Sequence, residues 1–150
     1  MKLHVAGLKE LDRALGELKT ATAKRLTTKV LKDAGQPIAD HASAIATQGR
    51  TGVLKASFGV GTQLTRRQAK GNRKESDVEV YVGSGRAKNV RAAGPVQGIT
   101  EEFGTSHSPA HPSLRPAWDA GRMRALDDIK DGLAVNIDKA AKRAAKRAGR

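Results

Sequence analysis

Two histidines near the start of the last third of the chain have the spacing best suited to metal binding. His107 and His111 are four residues apart, which on a helix places two imidazoles on one face, where they can share a metal ion. Pro109 and Pro112 disfavour a helix here, and no Cys or nearby carboxylate completes a ligand set. The sequence therefore predicts loop histidines and no metal site.

Carboxylates and hydroxyls in the same region give little support for catalysis. Glu101 and Glu102 are adjacent, so they face opposite sides of a strand or diverge by one position on a helix, which does not suit an acid–base pair. The hydroxyls of Thr105 and Ser106 have no His and carboxylate partners at informative positions. Residues 83–88 lack the Gly-Lys-Ser/Thr ending of a phosphate-binding loop and predict a turn. We expect neither an enzyme nor a cofactor.

The excess of positive charge says more about function than the candidate metal-binding and catalytic residues do. The chain has 28 Lys and Arg against 15 Asp and Glu, a net charge of +13, and clustered excess charge of this kind is typical of proteins that contact a polyanion. It is concentrated in a polar connection over 61–76 and in a tail over 139–150. The candidate contacts to DNA or to a neighbouring subunit are Arg66, Arg67, Lys70, Arg73, Lys74, Lys142, Arg143, Lys146 and Arg147.

The few aromatic residues limit the kind of nucleic-acid contact. Phe58, Tyr81, Phe103 and Trp118 are the whole set, and most of them look like core residues. Base stacking is therefore not expected, and a contact to DNA would be directed at phosphates and independent of sequence. A solvated basic surface without a partner fits the charges equally well.

The composition predicts a thin core. Leu, Ile, Val and Phe together number 29, and a further 24 residues are Ala, which places the chain near the border at which sequences stop folding alone. The absence of Cys excludes disulfides and fits assembly in a reducing cytosol. No apolar run approaches the ~20 residues that span a bilayer, and residues 1–4 lead into no signal-peptide core.

Helical periodicity dominates both ends of the chain. Leucines spaced by three and four over 8–18 predict a first helix, and a second pattern covers 26–45, where Pro37 is expected to kink or restart the helix. A final helix is predicted from Ser113, as its N-cap, with Pro116 in its first turn. Gly121 and Gly132 should each weaken that helix by ~1 kcal/mol. Close packing against a flat surface is predicted for the small residues Ala39, Ala42, Ala44 and Ala46.

The centre of the chain changes to a period of two. Apolar and other residues alternate over 53–60 and again over 77–82, which predicts two half-buried antiparallel strands. The connection over 61–76 is long for a compact domain, and loops of that length are functional or disordered as a rule. We predict a single α+β domain over 1–150, with N-terminal helices and a long C-terminal helix packed on a small antiparallel sheet.

One motif is more specific than these patterns. It combines Glu101-Glu102-Phe103-Gly104-Thr105 with His111-Pro112-Ser113-Leu114-Arg115-Pro116-Ala117-Trp118. The chain thereby resembles the small tail-completion, or head–tail joining, proteins of long-tailed double-stranded DNA phages, a lambdoid neck family. The resemblance extends upstream to residues 7–11, 34–46 and 51–57. It covers most of residues 5–145, strongly in three patches and weakly through the loops. The motif residues that the resemblance singles out are Glu102, Phe103, Gly104, Thr105, Leu114, Arg115, Pro116 and Trp118.

The resemblance implies a structural virion protein of the phage neck, assembled in the host cytoplasm. It would form a ring, hexameric in this family, between head-closure or connector proteins and the tail terminator or tail tube, with double-stranded DNA in its lumen and no membrane. Neighbouring copies would then supply the burial that a thin core lacks. A tail terminator and a sequence-nonspecific DNA-binding module are the alternatives.

The motif itself allows two roles. Leu114, Ala117 and Trp118 would seat the last helix on the sheet, while Arg115 points elsewhere and pairs with Glu101 or Glu102. Gly104 would let the chain turn, and Thr105 or Ser106 would hydrogen-bond the loop backbone. In the other role, the motif contacts a partner directly.

Overall fold

Helices surround a two-stranded sheet in this protein. The computed structural model describes residues 8–16, 18–47, 53–64, 66–73, 75–85 and 94–148. The elements in chain order are α1 (Leu8–Gly16), α2 (Thr20–Ile45), α3 (Val53–Ser57), β1 (Phe58–Gly61), α4 (Arg66–Gly71), β2 (Tyr81–Ser84), α5 (Gly94–Phe103) and α6 (Leu114–Ala148). This architecture confirms the predicted α+β class with a long C-terminal helix.

The two longest helices, α2 and α6, pack along each other and hold most of the core. One cluster joins buried Val30 of α2 to Leu133 and Ile137 of α6, with Leu15 and Leu18 packed against it from the N-terminal side. A second cluster surrounds the other end of the helix pair. It contains Ile38, Ala42 and Ala117, with Phe58, Val82, Leu114 and Ala125 packed against it.

Two glycines of α6 lie where the helix pair is closest. A Cβ atom on Gly121 would lie 2.9 Å from Cγ1 of Ile38, and one on Gly132 would lie 2.9 Å from Cγ1 of Val30. The sequence predicted only the helix-propensity cost of these residues. The structure shows the accompanying benefit, because the missing side chains let α2 approach α6.

The predicted thin core is confirmed for the described residues. Five of the ten buried apolar residues are alanines, namely Ala34, Ala39, Ala42, Ala46 and Ala117. Three of the four alanines expected to pack closely, Ala39, Ala42 and Ala46, are buried, whereas Ala44 is exposed. Small side chains therefore shorten the distance between elements instead of filling a large interior.

The second helix runs through its proline. It begins at Thr20 and continues to Ile45 with Pro37 inside it, so the predicted restart is wrong. Pro37 is exposed, while Ala34 and Ile38 on either side of it are buried. Packing of these neighbours compensates for the backbone hydrogen bond that proline cannot donate.

The sheet consists of β1 and β2, which are antiparallel neighbours as predicted. Their register pairs Phe58 with Ser84 and Gly61 with Tyr81. Directly paired residues share a face, so Val60 and its partner Val82 lie on the same side of the sheet.

The predicted first strand begins too early. Residues 53–57 form the short helix α3, and β1 starts only at Phe58. Leu54 and Ser57 are both buried, and the Ser57 hydroxyl donates a hydrogen bond to the Leu54 carbonyl at 2.7 Å. Burial three residues apart is a helical spacing, which the alternation of Leu54 and Ala56 concealed.

The predicted second strand also begins too early, at residue 77 instead of Tyr81. The ladder ends where Gly61 pairs with Tyr81, so earlier residues have no partner in this sheet. Instead, the Glu79 carboxylate accepts hydrogen bonds from the backbone N–H groups of Glu75, at 2.7 Å, and Ser76, at 3.2 Å. A turn held by a side chain therefore precedes β2.

The polar connection over 61–76 is not wholly a loop, because it contains α4. Asn72, just after α4, donates a hydrogen bond to the Tyr81 hydroxyl at 3.0 Å, which links this segment to β2. None of the helices in the described part of the chain is long and apolar enough to cross a membrane.

Candidate interface surfaces

The junction of α5 and α6 is built around one carboxylate. The last turn of α5 places Glu102 beside the first turn of α6, where backbone N–H groups have no helical partner. One oxygen, Oε2, accepts from the N–H groups of Ser113 and Leu114, both at 2.9 Å, and Oε1 accepts from that of Arg115 at 3.0 Å. Ser113 is at the N-cap position, as predicted, and its carbonyl accepts from the Ala117 N–H at 3.3 Å. The capping carboxylate comes from Glu102, eleven residues upstream.

Arg115 completes the junction. Its Nε donates to Oε1 of Glu102 at 3.0 Å, and its Nη2 donates to the Glu102 carbonyl at 2.5 Å. The predicted ion pair is thus present, with Glu102 as the partner. Glu102 is only 7% exposed, whereas the Arg115 side chain is 60% exposed, so a buried anion is held against a half-solvated cation.

The environment of Glu102 favours its charged form. Burial alone would raise its pKa, but the hydrogen bonds from the N–H groups of Leu114, Ser113 and Arg115, with that from the Arg115 side chain, outweigh burial. The pKa of Glu102 therefore lies below its ordinary value of 4.5. The junction is held by an ionised carboxylate at neutral pH.

The segment after Phe103 turns as predicted. Gly104 has φ +74°, and a Cβ atom there would lie 2.9 Å from the Ala110 backbone nitrogen. The Thr105 hydroxyl accepts hydrogen bonds from the N–H groups of His107, at 3.3 Å, and Ser108, at 3.1 Å. The Gly-Thr part of the motif thus shapes this loop.

Both histidines lie in the same irregular segment, as predicted. His107 and His111 are exposed, and the His111 N–H donates to the Glu101 carbonyl at 2.7 Å. Within the described residues, no group of three or more His, Cys, Asp or Glu side chains is arranged to hold a metal ion.

The aromatic residues of the motif are at the surface, although most of the four aromatic residues were predicted to be core and Trp118 was predicted to seat the last helix on the sheet. Phe103 is 69% exposed and Trp118 49% exposed. Phe103 follows Glu102, which takes the inward position, and Trp118 follows Ala117, which is fully buried on the core face. Leu114 and Ala117 do seat α6 on the core, as expected.

Phe103 belongs to a larger exposed patch. Ile99 precedes it by one turn of α5 and is 59% exposed, and the Arg115 guanidinium lies 4.9 Å from the centre of the Phe103 ring. An apolar side chain held beside a fixed cation is a common feature of binding surfaces. Ile99 was not predicted as a functional residue, although its spacing of four from Phe103 was a signal.

The basic candidates lie on two separate elements. Lys70 and Arg73 are exposed on and just after α4, and Lys142, Arg143 and Lys146 are exposed near the end of α6. We call residues 138–148 of α6 the basic helix end. Lys74 and the side chains of Arg66, Arg67 and Arg147 lie outside the described residues.

A cleft of about 380 Å³ beside β2 contains the remaining polar cluster. The Tyr81 hydroxyl donates to the Glu79 carboxylate, and Lys24 pairs with Asp77 at 3.3 Å. The hydrogen bond to Glu79, burial and the Glu79 charge, in that order, raise the pKa of Tyr81. These groups hold one another and stabilise the turn before β2.

Comparison with known families gives a match for the N-terminal part of the chain. Residues 9–93 match the family model described as "Bacteriophage HK97-gp10, putative tail-component". The match covers more than half of the chain and ends just before α5, so it does not include the motif over 101–118. No curated protein and no solved structure matches the chain significantly.

Proposed function

The chain belongs to the HK97-gp10-like family of phage tail components, and we propose that it is a neck subunit that joins the DNA-filled head to the tail. Membership of that family makes it a structural protein of the virion's tail region. The α5–α6 junction supports the more specific proposal of a neck function. There the motif that resembles that of head–tail joining proteins forms one connected unit, in which Glu102 and Arg115 hold Phe103 at the surface.

The proposed subunit works in a ring, a hexamer by resemblance, with the genome passing through its lumen. A ring uses two different patches of each copy, so apolar residues remain exposed on the isolated subunit. Ile99, Phe103 and Trp118 are such residues. A thin core and an exposed apolar patch both fit a protein that completes its burial on assembly.

The ring would lie between head-closure or connector proteins and the tail terminator or tail tube. A terminator role fits the tail-component family equally well. A free-standing DNA-binding module is favoured only by the basic residues, and it would bind duplex DNA tightly on its own.

Electron microscopy of lysates from a knockout in the native particle-producing system tests the joining role. We expect DNA-filled heads beside finished tails of normal length. Overlong or ragged tails would assign the chain to tail termination instead. Intact infectious particles would exclude a neck function.

Complementation of that knockout with Phe103→Ser tests whether the exposed patch that contains Ile99 and Phe103 is needed for joining. We expect joining to fail while the free energy of unfolding falls by no more than about 1 kcal/mol, because Phe103 is exposed and loses only its contact with the Arg115 guanidinium. Val135→Ser is the matched control, since Val135 is an exposed apolar residue of α6 outside the motif. Normal joining by Phe103→Ser would contradict a role for this patch.

A further inference from the structure

The last part of α6 extends beyond the core. Ile137 is the last buried residue of the helix, yet α6 continues for three turns to Ala148. At 1.5 Å per residue, the basic helix end is about 16 Å long. Every side chain described after Ile137 is exposed, except that of half-buried Ala140.

The charge of α6 changes at the same point. Residues 114–137 contain four basic and four acidic residues and are neutral, whereas 138–150 contain six basic residues and one acid, a net charge of +5. In the neutral part, Arg122 pairs with Asp119 and Arg124 with Asp128. Asp138, the single acid of the second part, pairs with Lys142 at 2.7 Å.

The four basic residues whose side chains the structure describes share one side of the helix. At 100° per residue, positions 139, 142, 143 and 146 fall within an arc of about 100°, and the described alanines Ala140 and Ala141 fall outside it. These four positions span about 10 Å of helix axis, and one DNA strand carries a charge every ~3.4 Å. The spacing therefore matches several consecutive phosphates.

We propose that the basic helix end binds the phosphate backbone of duplex DNA. This inference rests on the proposed neck function, which places DNA in the lumen, and it names the surface that faces that DNA. Charge complementarity supports it, because basic residues dominate the segment, with Asp138 as its single acid, and no aromatic or large apolar side chain is present to anchor a protein partner. Alanine maintains the helix without core contacts, since it has the highest helix propensity.

The expected binding is weak for one copy and insensitive to sequence. Contact with about four phosphates gives a slope of roughly −3.6 for log K against log salt, since each contributes about −0.9. We therefore expect measurable binding at low salt and little at physiological salt. Several copies around one lumen would add their contacts.

The test measures binding of the full chain to two unrelated DNA duplexes across a salt series. The variant Lys142→Gln/Arg143→Gln/Lys146→Gln should lose at least tenfold in affinity at low salt, with a slope about 3 smaller in magnitude. The control Lys9→Gln/Arg25→Gln/Lys32→Gln removes three exposed cations from α1 and α2 and has the same net charge. It should bind like the wild type.

Equal losses in both variants, or an unchanged slope in the first, would overturn the proposal. If the first variant binds DNA normally but fails to join particles, the basic helix end contacts an acidic protein and the proposal is wrong. The knockout microscopy measures joining without reference to DNA affinity. A failure of the neck function is therefore distinguishable from a failure of this inference. Circular dichroism checks that both variants retain their helix.

Discussion

The packed part of α6, residues 114–137, and the basic helix end belong to one helix but depend on different interactions. The packed part is neutral, begins at the Glu102 cap and buries Ala117, Leu133 and Ile137. The basic helix end buries none of its described side chains and carries the excess charge. One continuous helix can therefore contain segments that contribute differently to stability. In α6, the buried side chains end at Ile137 and the net positive charge begins after it.

The largest expected effect on stability comes from removing the cap of the packed part. Glu102→Ala leaves three backbone N–H groups and Nε of Arg115 without their acceptor. Nη2 of Arg115 keeps its hydrogen bond to the Glu102 carbonyl. We expect a loss of about 2–3 kcal/mol in the free energy of unfolding, measured by urea denaturation. Glu101→Ala is the control and should cost less than about 1 kcal/mol, because within the described residues the Glu101 side chain accepts one exposed hydrogen bond, from Thr47. Equal losses would show that Glu102 has no special role.

A smaller effect is expected where the packed part meets α2. Gly132→Ala places a Cβ atom against Val30, and overpacking should exceed the gain in helix propensity, leaving a loss of about 1–2 kcal/mol. Gly16→Ala, at the end of α1, is the matched control because its Cβ would meet nothing within 4 Å. The thermal unfolding midpoint of Gly132→Ala should fall below that of the wild type, whereas that of Gly16→Ala should not. A stabilised Gly132→Ala would show that α2 and α6 can move apart without cost.

Acid should weaken the packed part through the same carboxylate. The folded-state pKa of Glu102 is below its ordinary value, so its contribution is complete above about pH 4.5 and is lost as the pH falls through the folded-state pKa. Denaturation at a series of acidic pH values should show this loss in the wild type and a flatter profile in Glu102→Gln. Parallel profiles would assign the acid sensitivity to other groups.

The smallest effect on stability should follow from removing the basic helix end. Truncation after Asp138 deletes no buried described side chain, so we expect a change below about 0.5 kcal/mol in urea denaturation, with weakened DNA retention or joining. A loss comparable to that of Glu102→Ala would erase the distinction between the two parts of α6.

Periodic elements were predictable from the sequence, whereas their junctions were not. The leucines of α1 and the apolar spacing of α2 and α6 predicted those helices because each burial pattern repeats within one element. Leu54 contributed to the wrong prediction of a strand over 53–57, because it fits both an alternating pattern and the helical spacing to Ser57. The strand ends depended on the pairing of Gly61 with Tyr81, which lie twenty residues apart.

The candidate site was predictable where it depends on the types of neighbouring residues, and it was not predictable where it depends on contacts between separate elements. The pairing of Arg115 with a glutamate followed from opposite charges, and the turn at Gly104 followed from its residue type. The capping role of Glu102 was missed because its partners come eleven to thirteen residues later. Most of the aromatic residues were expected in the core, whereas Phe103 is exposed and the inward position belongs to its charged neighbour Glu102.

The unbroken length of α6 has a mechanical consequence. A helix of 35 residues is about 52 Å long, and no proline follows Pro116 in it. The Glu102 cap and the basic helix end therefore lie at opposite ends of one continuous helix. We expect a displacement of the basic helix end to be transmitted along the helix axis, past the close contacts with α2 at Gly121 and Gly132, to the α5–α6 junction.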